Sequence, residues 1–202
     1  MTRQRPFASL AALLLTAIVS GALGGCAGLL DSDAPPTSEW WLDATAPSAP
    51  AERGTQTLVL DLTVVPGLDT NRILNLGPQA RLNHYAGAYW PDYLPEVLAS
   101  ALARSFEQGG WRAVRLDDRV RNDDECLLTL ETRAFYGRVD RENLTRKVET
   151  RFDGVLLCDD SRRTISSNQD IVVTENRMGT IVAAFQEALG RSVEDITASM
   201  AP

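Results

Sequence analysis

The chain has 202 residues, with 27 acidic and 20 basic side chains, a formal charge of −7, one His and three Cys. The acidic balance excludes the basic footprint that nucleic-acid binding needs, and it argues against adhesion to anionic lipid through a basic patch. A single His cannot complete the usual zinc clusters, so no metal or cofactor is expected.

Residues 1–25 read as a signal peptide. Arg3 and Arg5 form a positive start, Leu13, Leu14, Leu15, Ile18 and Val19 an apolar middle, and Leu23-Gly24-Gly25-Cys26 a lipobox. Small residues suit the cleavage site, and the thiol just beyond it is the lipidation position, Cys26. Residues 8–30 carry no charge and are long enough to span a bilayer. The Gly and Ala crowding the second half, with no positive cluster after it, favour cleavage over an uncleaved anchor. Ala27 follows the lipid-bearing Cys where an Asp would favour retention in the inner membrane, so the outer membrane is expected. Both Arg of the first 25 residues leave with the peptide, so the remainder carries 18 basic and 27 acidic residues, a formal charge of −9. Membrane attachment must then come from acyl chains, several of which anchor stably where one is marginal.

Residues 26–56 read as the lipidated Cys and a tether, rich in Pro, Ala, Ser and Thr, which cannot bury enough apolar surface to order itself. Trp40-Trp41-Leu42 interrupts it and should pack on the domain or on a neighbouring subunit. The periplasmic domain is expected over 57–202. Leu58, Leu60, Leu62 and Val64 alternate in a strand ended by Pro66-Gly67. Weaker strands are expected at 72–76 and 81–88. Leu94, Leu98, Leu102 and Phe106 mark a helix, with Pro95 in its first turn and Gly109-Gly110 as its stop. A short strand at 113–116 follows, then long strands at 126–139 and 145–158, another at 164–174, and a final helix at 180–200. The order β-β-β-α-β-β-β-β-α predicts an α+β fold, mainly an antiparallel sheet with both helices on one face.

Cys126 and Cys158 lie equally far from Glu142, inside the turn between the two long strands, so they would face each other across a hairpin. A non-hydrogen-bonded antiparallel pair has Cα atoms ~4.5 Å apart, within disulfide range, and export places the chain where disulfides persist. Charge pairing objects, because this register sets Glu131 against Asp153 and Arg133 against Arg151. A shift of two residues would pair Glu131 with Arg151 and Arg133 with Glu149 but leave the cysteines diagonal. The disulfide register is favoured, since exposed ion pairs contribute at most ~1 kcal/mol and closing this loop contributes ~3–4 kcal/mol.

No catalytic cluster stands out. His84 sits in a predicted strand without a nucleophile elbow. Asp117-Asp118 and Asn122-Asp123-Asp124-Glu125 lack the alternation and Gly of a calcium loop and read as solvated turns.

Four segments carry a family resemblance: Trp40-Trp41-Leu42, a first strand ending in Val65-Pro66, Tyr89-Trp90-Pro91 opening a helix, and Phe135-Tyr136-Gly137-Arg138 before a long hairpin. In that order, over residues 40–200, the chain resembles the ABC-type transport auxiliary lipoproteins, the paraquat-inducible lipoprotein C-like family. The resemblance implies a non-enzymatic outer-membrane lipoprotein facing the periplasm, with an MCE-domain lipid transporter as partner. It also implies a homo-oligomer. Trp40, Trp41, Tyr89 and Trp90 are the candidate interface residues, aromatics being enriched at interface cores, unless all four pack within one subunit. Two rivals are a tethered activator of a peptidoglycan synthase and a small hydrolase dependent on His84.

Overall fold

The computed structural model describes residues 36–48, 57–116, 122 and 125–200. The chain divides into Met1–Pro36 and Thr37–Pro202, and the fold is that of the second unit. The signal peptide, Cys26, residues 49–56 and four of the acidic-turn residues (Asp117, Asp118, Asp123, Asp124) lie outside the described residues. Among the described residues, no helix is long and apolar enough to cross a membrane.

The elements are β1 (Ser38–Glu39), β2 (Thr57–Val64), β3 (Arg72–Leu76), β4 (Leu82–Tyr89), α1 (Leu94–Gln108), β5 (Arg112–Arg115), β6 (Cys126–Val139), β7 (Thr145–Cys158), β8 (Ser161–Val172) and α2 (Met178–Met200). The α+β class stands, with a two-residue strand added at the front. The sheet is mixed. Its two longest ladders, β6–β7 and β7–β8, are antiparallel, as is β3–β4. β2 and β3 both lie parallel to β6. They follow one another along the same edge of that long strand, so both take one direction relative to it. β5 adds in parallel outside β2, and β1 in parallel outside β4. Leu58, Val59 and Leu60 are all buried where simple alternation would expose Val59; strands covered on both faces read as continuous apolar runs.

α1 starts where Pro95 tolerates the missing N–H. It ends in a Schellman motif: the Trp111 N–H donates to the Phe106 carbonyl and the Gly110 N–H to that of Glu107, both at 3.0 Å. Gly110 takes φ 90° there, which a side chain would resist. Both helices bury one apolar stripe into a single core shared with the sheet.

The base of the hairpin takes the disulfide register, Leu127 facing Leu157 through Thr132 facing Phe152. Cys126 and Cys158 are joined, with Cα atoms 4.3 Å apart. The charge conflict is relieved by a β-bulge between Thr132 and Ala134, which puts Ala134 rather than Arg133 opposite Arg151. Arg133 is thereby released to reach Glu131 at 2.7 Å and Asp153 at 3.3 Å, while Arg151 holds Asp153 at 3.0 Å. Beyond the bulge, Glu149 receives Arg138 at 2.8 Å and Lys147 at 2.7 Å. Partial burial pushes the Glu149 carboxyl up, but these cations overcome it and hold it below the ordinary carboxylate range. Asp153 is likewise held low: its desolvation is outweighed by Ser166, Arg151 and Arg133.

Candidate functional site

Residues 37–48 form a strap laid across the domain rather than a free tether. β1 pairs with the end of β4, and the Trp40 N–H continues the ladder to the Tyr89 carbonyl at 2.8 Å. The strap then follows α2. The Asp43 N–H donates to Gln186 at 2.8 Å, Thr45 lies against Gly190, and Ser48 donates to Glu194 at 2.6 Å. It also ties to α1: the Thr45 N–H donates to the Ser105 hydroxyl at 2.9 Å, Arg104 donates to the Leu42 carbonyl at 3.2 Å, and Pro47 packs on Gly109. Leu42 is buried in the core. The strap thus clips both helices. The Pro-rich composition hid this, because only three apolar anchors, Trp40, Leu42 and Pro47, hold it down.

The four aromatic candidates separate. Trp90 is 2% exposed and packs within the chain. It leaves β4 toward the core, where it packs edge-on against Phe135 (6.0 Å) and Phe185 (5.6 Å), themselves stacked at 4.9 Å. These contacts join β6, α2 and the entry to α1. Trp40 is half-buried against the same core, and Tyr89 is half-buried. Trp41 alone stands out, 60% exposed, with the Arg104 guanidinium 5.6 Å from its ring centre, a cation–π distance. It edges a groove of about 280 Å³ of mixed lining, with the buried Leu42 and Val97 and the exposed Pro91 beside the polar Asp92, Ser100 and Arg115. Arg115 is itself paired with Glu96. The exposed Tyr93 follows Asp92 at the start of α1.

The Phe135-Tyr136-Gly137-Arg138 segment has a structural meaning at every residue. Phe135 joins the core stack, and Arg138 crosses the open face to Glu149 and lies 5.5 Å from the ring of Tyr136. Gly137 leaves room for Tyr85, which crosses it to bond Thr145 at 2.9 Å. Burial pushes the Tyr85 phenol above its ordinary pKa, against the smaller opposite effect of the Thr145 bond. Nothing in the residues of 135–138 alone announces Tyr85 as Gly137's cover; the distance in sequence hides it.

His84 is exposed on β4, and its ring Nε2 lies 2.8 Å from the Arg72 guanidinium. Its ring partner is thus a cation, not the carboxylate that orients a catalytic His. Of the acidic turns, only Asn122 and Glu125 are described, the N–H of the first donating to the carboxylate of the second at 2.9 Å. Among the described residues, no group of three or more His, Cys, Asp or Glu is placed to hold a metal ion.

Comparison with solved structures shows the same fold at low identity. A crystal structure of an uncharacterized protein superimposes with a TM-score of 0.66 at 14% identity, covering 83% of this chain and 100% of its own. Protein XCC0632 from Xanthomonas campestris, described with the family designation DUF330, gives 0.62 at 18% identity, covering 79% and 92%. No curated protein matches. The family described as the ABC-type transport auxiliary lipoprotein component matches residues 42–197, from the buried strap residue Leu42 to the last turns of α2, and the chain belongs to that family.

Proposed function

We propose that the protein is a non-enzymatic outer-membrane subunit of an MCE-type intermembrane lipid transport system, acylated at Cys26, facing the periplasm and docking the end of the MCE tunnel. Membership in a transport auxiliary lipoprotein family supports the coarse role. The observation that carries the finer one is Trp41. A solvent-facing Trp held by an Arg beside a groove of mixed polar and apolar lining has the residue types that dominate binding hot spots. The strap fixes it against both helices, so little ordering entropy is lost when a partner covers it. Self-association belongs to the same reading, and the long outer edge of β8, which pairs only with β7 among the described residues, can be extended by another strand.

The test is co-purification of the acylated, untagged-domain protein from envelope extracts. Recovery of an MCE-domain protein, reduced when Trp41→Ala is introduced, supports the reading. Recovery of a penicillin-binding protein in its place would replace it with the synthase-activator role.

A further inference from the structure

The two hairpin turns, 77–81 and 140–144, lie at one end of the sheet and enclose a hollow of about 390 Å³. Arg81 and Arg141 line it. Both are exposed, and neither guanidinium has an ion-pair partner among the described residues, whereas Arg138, Arg146, Lys147 and Arg177 are all paired. Asp140 also lines the hollow but is paired with Arg146, so the two arginines leave a local excess of positive charge on an acidic chain. Exposed apolar side chains gather at the same end. Among the described residues, five large ones are exposed, and Leu82, Leu144 and Val172 are three of them. Leu82 opens β4, Leu144 closes the β6–β7 turn, and Val172 faces Lys147 at the same end of β7.

β1 runs parallel to β4, with Ser38 beside Ala88 and Glu39 beside Tyr89. Ten residues lie between Cys26 and Thr37, so the span is at most ~40 Å when fully extended. A tether running to residue 56 would allow more than twice that.

We propose that this end of the domain rests on the phospholipid surface that holds the acyl anchor, with Arg81 and Arg141 taking a lipid phosphate in the hollow and Leu82 and Leu144 entering the interfacial layer. The inference rests on acylation of Cys26. It leaves the Trp41 groove, at the other end of β4, turned toward a periplasmic partner. Guanidinium suits phosphate because its planar donors match two oxygens at once. The contact is weak by itself and acts because the anchor keeps the surface close, an effective-concentration effect.

The experiment is hydrogen exchange on the acylated full chain, in vesicles of mostly phosphatidylethanolamine with some phosphatidylglycerol and in detergent micelles. Amides of 77–83 and 140–146 should exchange several-fold more slowly on vesicles, and the Arg81→Gln/Arg141→Gln protein should lose that protection while keeping its unfolding temperature. Equal exchange on vesicles and micelles in protein whose mass shows the lipid overturns the proposal. So does protection that persists in the double variant, or that appears in micelles as protein concentration rises, which would mark a contact between copies. Absence of the lipid in the mass would instead refute the anchor, and loss of the MCE partner alone would refute the transport reading while leaving this contact standing.

Discussion

Replacing Gly137 with Ala tests the packing of the motif that most marks this chain. A Cβ at Gly137 would meet the Tyr85 hydroxyl oxygen at 2.0 Å, its Cζ at 3.1 Å and the Thr145 methyl at 3.2 Å. Gly137 is not among the residues with left-handed backbone, so steric overlap alone opposes the methyl. Either the strands spread or Tyr85 swings out and gives up its 2.9 Å bond to Thr145. Overpacking costs ~1–3 kcal/mol and the lost hydrogen bond about 1 kcal/mol, so the variant should be about 2–4 kcal/mol less stable. For a domain of this size that lowers Tm by roughly 5–15 °C. Urea and thermal unfolding followed by circular dichroism, with the disulfide intact, measure it. Tyr85→Phe removes the nearest atom, so the double variant should lose less than the two single losses combined. A Gly137→Ala protein as stable as the parent, or strict additivity with Tyr85→Phe, refutes the account of this contact.

Three further outcomes follow from the geometry. Non-reduced protein should show no free thiol at Cys126 or Cys158 toward iodoacetamide, and the Cys126→Ala/Cys158→Ala variant should be ~3–4 kcal/mol less stable. Glu149, Asp153 and Asp140 all have depressed pKa values, the last mainly through the Leu144 N–H. Their contribution is therefore complete above the unfolded-state carboxylate values, about pH 4, and is lost as pH falls through the lower folded values; denaturant midpoints that stay flat from pH 6 to pH 2 would contradict this. Intact mass of the membrane-extracted protein should show a chain beginning at Cys26 and carrying diacylglycerol, and a Cys26→Ser protein that still fractionates with the outer membrane would count against the anchor.

The strands and helices were legible because their signals are local: the Leu58-to-Val64 alternation, the Gly109-Gly110 stop, the stripe of α2. The β6–β7 register was legible from the placement of Cys126 and Cys158 about Glu142. The bulge was not read, although the apolar run Ala134-Phe135-Tyr136 interrupts the alternation, with Ala134 and Phe135 both buried, and the crowding of Arg133 and Arg151 hinted that perfect pairing would fail. The strap was legible only at Trp40-Trp41-Leu42, whose packing on the domain was expected. The rest is held by contacts more than a hundred residues away in sequence, Asp43 with Gln186 and Ser48 with Glu194, which composition does not register. Trp90 was ambiguous for a similar reason: an aromatic beside a Pro looks exposed until Phe135 and Phe185, 45 and 95 residues further on, are placed around it.

The transport reading stands on what touches Trp41 in the envelope. A photocrosslinking phenylalanine derivative placed at Trp41 of the acylated protein, expressed in its native cells, should capture an MCE-domain protein, and the same group at the exposed Asn168 of β8 should not. Capture of a penicillin-binding protein at Trp41, or equal capture of the MCE-domain protein at both positions, would contradict it.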